Sequence, residues 1–302
     1  MSERTLIVIT GPTAVGKTRV AIEVALALGC DIVNADSRQI YRHIPICTAA
    51  PTPQEQALVR HHFVEFCELD EQYSAAQYET DVMALLPSLW AHGDTVVMSG
   101  GAMMYVDAVC HGIDAIPDIA PTLREQVLAE YNAGGIEPLL TELERLDPEY
   151  FAIVDKQNTR RVVHAIEVCR QTGLPYSSLR TGRAKERDFK IVKYALNMER
   201  AQLFDRINRR VDLMVEQGLE AEARSVFHMR QLNSLNTVGM KEMFAYFDGT
   251  WDLPTAIERM KKNTRIYAKK QLTWLRRDPT VTWLEPATAA QEILHPKSSL
   301  EF

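Results

Sequence analysis

An apolar, β-branched run, Thr5-Leu-Ile-Val-Ile-Thr10, leads straight into Gly11, four further residues and then Gly16-Lys17-Thr18. The spacing G-x-x-x-x-G-K-T, set between strand character and the start of a helix, constrains the chain more than any other stretch. A strand must run into a tight turn and a helix must open at Lys17, a combination that belongs in a parallel α/β sheet. Gly11 and Gly16 let backbone N–H groups converge on phosphate oxygens. The helix start adds a positive dipole end, Lys17 a point charge and the Thr18 hydroxyl a ligand for Mg2+. Gly11, Pro12, Thr13, Ala14, Val15, Gly16, Lys17 and Thr18 are therefore expected to cradle a diphosphate or triphosphate. The alternative is an ordinary Gly-rich βα turn.

With 302 residues, 46% hydrophobic and 25% charged, the chain has material for one large domain or two modest ones. No charged-then-apolar leader precedes the first strand and no apolar run approaches membrane-spanning length, so a cytoplasmic protein is expected. Cys30, Cys47, Cys67, Cys110 and Cys169 are odd in number, with no Cys-x-x-Cys pair. They point to reduced, buried residues and to neither a disulfide framework nor a zinc ribbon. The net charge of −6 argues by itself against a nucleic-acid partner, but its distribution along the chain points the other way.

Alternating elements fill the first hundred or so residues. Strands are expected at 30–35, 62–66 and 95–98, and helices at 19–28 and 74–90. Pro117 and Pro121 then interrupt the pattern, and helical periodicity without strand character runs from 122 to about 180. Strand character returns at 189–196, followed by two long helical segments and a last short strand at 281–284. The fold class expected is α/β, a parallel sheet flanked by helices, with an all-helical insertion. The division reads as 1–116 for the first part of the core, 117–187 for the insertion and 188–302 for the continuation of the core.

Asp36 ends the second strand, where ligand sites form in such sheets; it could be a magnesium ligand, a general base or a helix cap. A nucleotide kinase or hydrolase usually closes a buried strand with an Asp that holds magnesium, yet the strand at 95–98 runs into Ser99-Gly100-Gly101. That weakens a nucleoside triphosphate reading. The last long helix, with Asp252 and Pro254 at its start, holds eight basic residues against Glu258 alone between 256 and 277, a net +7 in an acidic chain. At about 100° per residue, Arg259, Lys262, Arg265, Lys269 and Arg276 share a stripe, while Ile257, Met260, Tyr267, Trp274 and Leu275 lie opposite. Like charges this dense cost helix stability unless an anion offsets them, which favours a polyphosphate partner over a merely solvated face.

These stretches together resemble the tRNA dimethylallyltransferase (isopentenyltransferase) family along nearly the whole chain. The resemblance is carried by the phosphate loop, Asp36-Ser-Arg-Gln-Ile-Tyr41, Tyr73-Ser-Ala-Ala76, Asn158-Thr-Arg-Arg161, Gly218-Leu-Glu-Ala-Glu-Ala-Arg224, Thr237-Val-Gly-Met-Lys241 and Lys269-Lys-Gln-Leu-Thr-Trp-Leu-Arg276. It implies a P-loop NTPase-like sheet whose loop holds dimethylallyl diphosphate instead of a nucleotide. It implies transfer of the five-carbon group to N6 of the adenosine just 3′ of the anticodon. By the same resemblance Asp36 would be the base, and Lys17, Thr18-bound Mg2+ and Arg224 would stabilise the leaving diphosphate. Asp36, Ser37, Arg38 and Gln39 would hold the adenosine. Arg124, Asn158, Thr159, Arg160, Arg161, Val162, Gly239, Lys241, Lys269, Lys270, Gln271, Thr273, Trp274 and Arg276 would grip the tRNA anticodon stem-loop.

One departure stands out: where the family pattern reads Gly-Gly-Thr, this chain has Gly100-Gly101-Ala102, so that hydroxyl is missing or is supplied by a neighbour such as Ser99. The zinc-finger tail of some eukaryotic members is absent, which suggests a bacterial-type enzyme, expected to act as a monomer away from membranes. Three rival readings are an adenylate isopentenyltransferase, an ATP-dependent small-molecule kinase and an RNA-binding protein that merely retains the loop. The basic helix and the helical insertion speak against the first, and the missing strand-end acid against the second.

Overall fold

The structure, a computed structural model, describes residues 3–296. Six strands form one sheet in the order β3-β2-β4-β1-β5-β6, and every neighbouring pair is parallel. At its centre β1 (Thr5–Thr10) lies between β4 (Thr95–Ser99) and β5 (Lys190–Leu196), with Thr5 opposite both Thr95 and Lys190. Successive side chains of β1 serve opposite faces, as the two-residue strand period requires. Leu6 and Val8 join Val33, Tyr78, Val82 and Met98 in one apolar layer, and Ile9 joins Val20, Val24, Val97 and Ile207 in the other. Burial on both faces explains why these strands read as nearly unbroken apolar runs.

The edges are short. The outer strand β3 is only His61–His62, next to β2 (Ile32–Asn34), and β6 (Thr282–Leu284) closes the other side. The strand expected at 62–66 stops early because Phe63 and Glu65 take left-handed backbone angles, φ 62° and 47°, which no ladder accommodates.

The helices of this half are α1 (Lys17–Leu28), α2 (Pro45–Thr48), α3 (Pro53–Leu58), α4 (Ala75–Leu89) and α5 (Met103–His111). Ser74 starts α4 by accepting the Gln77 N–H at 3.1 Å. Of the described residues, 3–110 and 187–296 form one compact unit, and 111–186 form a second.

The second unit has five helices and no strand among its described residues: α6 (Pro121–Gly134), α7 (Glu137–Leu146), α8 (Pro148–Ile153), α9 (Thr159–Thr172) and α10 (Tyr176–Leu179). Val127, Leu139, Leu143, Val162 and Ile166 are its fully buried centre. Asp147 separates α7 from α8 by capping α8, accepting the Tyr150 N–H at 2.9 Å.

After β5 the first unit continues with α11 (Arg200–Glu216), α12 (Leu219–Ser225), two 3-10 turns, α13 (Met240–Phe247), the 23-residue α14 (Leu253–Leu275), β6 and α15 (Ala289–Leu294). Asp252 starts α14 by accepting the Thr255 N–H at 2.9 Å. The expected inner face of α14 is corrected in part. Its buried line is Ala256, Met260, Ala268, Gln271 and Leu275, whereas Tyr267 and Trp274 stand 43% and 38% exposed. Two small alanines and an amide line its packed side, where it meets α11 and α13, and the bulky rings are left partly exposed. Among the described residues no helix is long and apolar enough to cross a membrane.

Candidate active site

The turn after β1 is shaped by close approach. Gly11 has φ 143°, and a Cβ there would lie 2.7 Å from the Leu196 carbonyl oxygen. Ala14 and Gly16 are left-handed at φ 65° and 107°, which curls the backbone into a concavity of the kind that gathers N–H groups around an anion. Gly16 then opens α1 without any side-chain cap, so the first-turn N–H groups are left for a ligand.

Lys17 folds back over this turn and donates to Gly11 O at 3.1 Å and to Pro12 O at 3.0 Å. Desolvation there, and then the charge of Arg210, push its pKa down to about 8, with Asp36 opposing. The Thr18 hydroxyl has no hydrogen-bond partner among the described residues.

Asp36 lies two residues beyond β2. Its Oδ1 accepts the N–H groups of Arg38 at 2.9 Å and Gln39 at 3.4 Å, while Oδ2 has no partner among the described residues. The turn after β4 packs tightly beneath it: a Cβ at Gly100 would lie 2.0 Å from Ala35 O, and Ala102 N–H donates to that oxygen at 3.0 Å. Neither Ala102 nor Ser99 lines the neighbouring cavity.

That cavity, about 310 Å³, is lined by Thr13, Asp36, Ser37, Arg38, Arg210 and Lys241 together with buried Ile207, Val211, Met214 and Met260. Polar and charged groups thus meet an apolar wall in one chamber. Thr237, Val238 and Tyr267 complete part of the rim. Gly239 holds the 236–241 turn at φ 100°, where a Cβ would lie 2.5 Å from Cys47 Sγ. Cys47 and Thr48, also on the wall, are fixed from both ends of α2. Glu222 accepts the N–H groups of Ile46 and Cys47, each at 2.8 Å, and Gln39 donates to Thr48 O and Ala49 O at 3.1 and 2.8 Å.

Several expected residues are placed elsewhere. Arg224 pairs through its guanidinium with Glu220 at 3.1 Å, stacks 4.0 Å from the Phe247 ring and does not line the cavity. Arg206 and Arg210 of α11 lie beside the loop, donating to Ala14 O at 3.0 Å and reaching Thr13 Oγ1 at 3.5 Å. Burial pushes the Arg210 pKa down, and Asp36 is the first opposing influence. A signal existed: Arg206 and Arg210 are four residues apart and flank Ile207 and Val211, which are buried on α11.

Arg38 is committed to the carbonyls of Asn233 and Ser234 at 2.9 and 3.1 Å, and Gln39 lies off the cavity. Gln271 is 2% exposed and bonds Thr13 N and Gly101 O, so its side chain is not presented on the surface. Lys269, Lys270 and Thr273 are exposed on α14, as is Arg276 at its C-terminal cap, and Trp274 donates to Asp107 at 3.0 Å. Within the basic run, Lys261 is paired with Asp212 at 2.8 Å and Glu258 at 3.0 Å.

In the helical unit Asn158 caps α9 by accepting the Arg161 N–H at 3.3 Å, and Thr159 is the first helical residue. Arg160 and Arg161 are exposed and, with Arg180, His164, Tyr150 and Tyr176, line a second cavity of about 430 Å³. Arg124 lies 3.7 Å from Glu167. Val162 is fully buried, so its side chain serves the core of this unit and not a surface contact.

The sequence profile described as IPP transferase matches residues 39–278. The chain is 50% identical over 281 residues to tRNA dimethylallyltransferase 2 of Parabacteroides distasonis, covering 93% of this chain and 94% of that protein. It is 49% identical to tRNA dimethylallyltransferase 1 of Bacteroides fragilis, over the whole of both chains. Among solved structures it is similar to the tRNA isopentenylpyrophosphate transferase of Bacillus halodurans, at 35% identity and a TM-score of 0.69, covering 96% of this chain and 94% of that one. A eukaryotic dimethylallyltransferase acting on tRNA shares the fold at 23% identity and a TM-score of 0.79, covering 97% of this chain and 76% of that one. By profile and by full-length identity, this chain belongs to the IPP transferase family.

Proposed function

We propose that the chain is a tRNA dimethylallyltransferase that moves the dimethylallyl group from dimethylallyl diphosphate to N6 of the adenosine 3′-adjacent to the anticodon. The observation that carries this reading is the single chamber. It holds Thr13 of the phosphate loop, Asp36 and Arg210 against the apolar wall of Ile207, Val211, Met214 and Met260. A diphosphate with a short hydrocarbon tail matches both characters, whereas a nucleoside triphosphate would set its ribose and base against apolar side chains.

In this scheme the C–O bond of the allylic diphosphate breaks as the N6 lone pair forms the new C–N bond. The N6 proton passes to Asp36, whose Oδ2 is the carboxylate oxygen left without a protein partner among the described residues. Backbone N–H groups of the loop, Lys17 and Arg210 take the negative charge that grows on the leaving group. A free Thr18 hydroxyl beside this cradle fits Mg2+ carried on the diphosphate, since magnesium favours phosphate oxygens and few protein ligands. When bound it would neutralise part of the leaving group's charge. The target base must leave its stack to reach Asp36, at a cost of about a few kcal/mol.

The anticodon stem-loop would meet the exposed Lys269, Lys270 and Arg276 of α14. We take the monomer as the working unit, and because tRNA is the acceptor we place the reaction in the cytoplasm. Incubation with labelled dimethylallyl diphosphate, magnesium and unmodified tRNA should put label on adenosine. Label on free AMP alone, or consumption of ATP without RNA, would refute the assignment.

A further inference from the structure

Gln271 sits on the inner side of α14, next in the chain to the exposed Lys269 and Lys270. Its amide is used twice. Oε1 accepts the Thr13 N–H at 2.8 Å, and Nε2 donates to Gly101 O at 2.9 Å. One side chain therefore ties the phosphate loop after β1 to the turn after β4, two segments far apart in sequence. The fit is close: a Cβ at Gly101 would lie 2.5 Å from Gln271 Nε2 and 3.5 Å from Lys17 Nζ.

We infer that Gln271 is a positioning residue for the donor. It holds the phosphate loop in its anion-binding shape from the very helix that carries the RNA-facing cations, and it does not touch RNA itself. The inference rests on the prenyl-transfer reading above. An amide suits the task because it accepts and donates at once without placing a charge beside the diphosphate. Glutamate keeps the acceptor and loses the donor, and methionine fills the space with neither. Since Lys269 and Lys270 flank this clamp, a shift of α14 on RNA docking is transmitted to the loop through it.

The test uses the full chain carrying Gln271→Met. Inorganic diphosphate with magnesium is titrated calorimetrically, an anticodon stem-loop is titrated by fluorescence anisotropy, and amide exchange is followed at residues 11–16. Loss of these two hydrogen bonds is expected to weaken diphosphate about tenfold or more and to speed loop exchange by a similar factor. Stem-loop affinity without diphosphate is expected to stay within about twofold, as for a residue that makes no phosphate contact. Unchanged diphosphate affinity and loop exchange overturn the inference, as does a loss of stem-loop affinity with the loop undisturbed. Should Gln271→Met fail to fold, Gln271→Glu is read by the same loop exchange, and an unaltered rate overturns the inference equally. A wild-type chain that binds diphosphate but no stem-loop refutes the transfer reading instead, while the diphosphate comparison still decides the role of Gln271.

Discussion

The Nζ of Lys17 lies 3.0 Å from the carbonyl oxygen of Pro12, so the loop's own backbone holds the ammonium in the position where a phosphate would be met. Only the protonated form attracts a diphosphate. Burial and Arg210 bring its pKa from 10.5 down to about 8, so the charge is present below that pH and is lost above it in the free chain. Diphosphate binding favours the charged form and must recover the proton. Donor affinity is therefore expected to be level in this group's contribution below pH 8 and to fall by up to about tenfold per unit above it. Titrating diphosphate in buffers of different ionisation enthalpy should reveal proton uptake just above that pH. A flat affinity profile would remove Lys17 from the binding step.

Asp36→Asn should abolish transfer while sparing RNA binding. The amide keeps the acceptor for the Arg38 N–H at Oδ1 but cannot take the N6 proton. A positioned base contributes about 10²- to 10⁴-fold, so a single-turnover rate reduced by that factor is expected, with stem-loop affinity nearly unchanged. Residual turnover close to wild type would exclude Asp36 as the base.

Arg210 and Arg224 make a paired comparison. Arg210 is beside Thr13 on the cavity wall, and a charge-assisted contact to the diphosphate is worth about 1.5–3 kcal/mol. Arg210→Ala should lower kcat/KM for the donor by about one to two orders of magnitude. Arg224 is half exposed and paired within its own helix, an arrangement worth at most about 1 kcal/mol, and Arg224→Ala should change donor kinetics little. The reverse ranking in donor kinetics would restore Arg224 to the site.

Gly239→Ala tests the wall. The position has φ 100° and a new Cβ would meet Cys47 Sγ at 2.5 Å and Met260 Cε at 3.2 Å. Strain of this kind costs about 1–3 kcal/mol, so the melting temperature should fall by several degrees. Donor KM should rise with it, because Cys47 and Met260 line the chamber. An unshifted melting curve would mean the turn relaxes freely.

Much of this fold is legible because its central strands are buried on both faces and its phosphate loop has a fixed spacing. The central strands show in the apolar pattern, and the differences lie where tertiary context overrules local pattern. Nothing in Phe63 or Glu65 announces a left-handed backbone, so the local pattern extends β3 too far. Arg224 belongs to a stretch that resembles site machinery, whereas Arg210 is hidden inside an ordinary amphipathic helix. Its position beside Thr13 depends on α11 passing next to the loop, which the spacing of charges alone does not reveal. Gln271 reads as a surface contact because charged neighbours surround it, yet a helix of 3.6 residues per turn points it inward.

The same helix geometry separates open cations from paired ones in the basic run of α14. Lys261 already neutralises Asp212 and Glu258, so an RNA phosphate would have to displace those carboxylates. Lys269, Lys270 and Arg276 are exposed and have no carboxylate partner among the described residues. Each phosphate contact releases about one counterion and steepens the dependence of log K on log salt by about 0.7–0.9. Alanine at Lys269, Lys270 or Arg276 should therefore weaken stem-loop binding uniformly across sequences and flatten the slope by about that amount. Lys261→Ala should leave the slope unchanged and act, if at all, on stability. These outcomes are read from anisotropy titrations over a salt series. A slope insensitive to the three exposed cations would move the RNA path off α14 altogether.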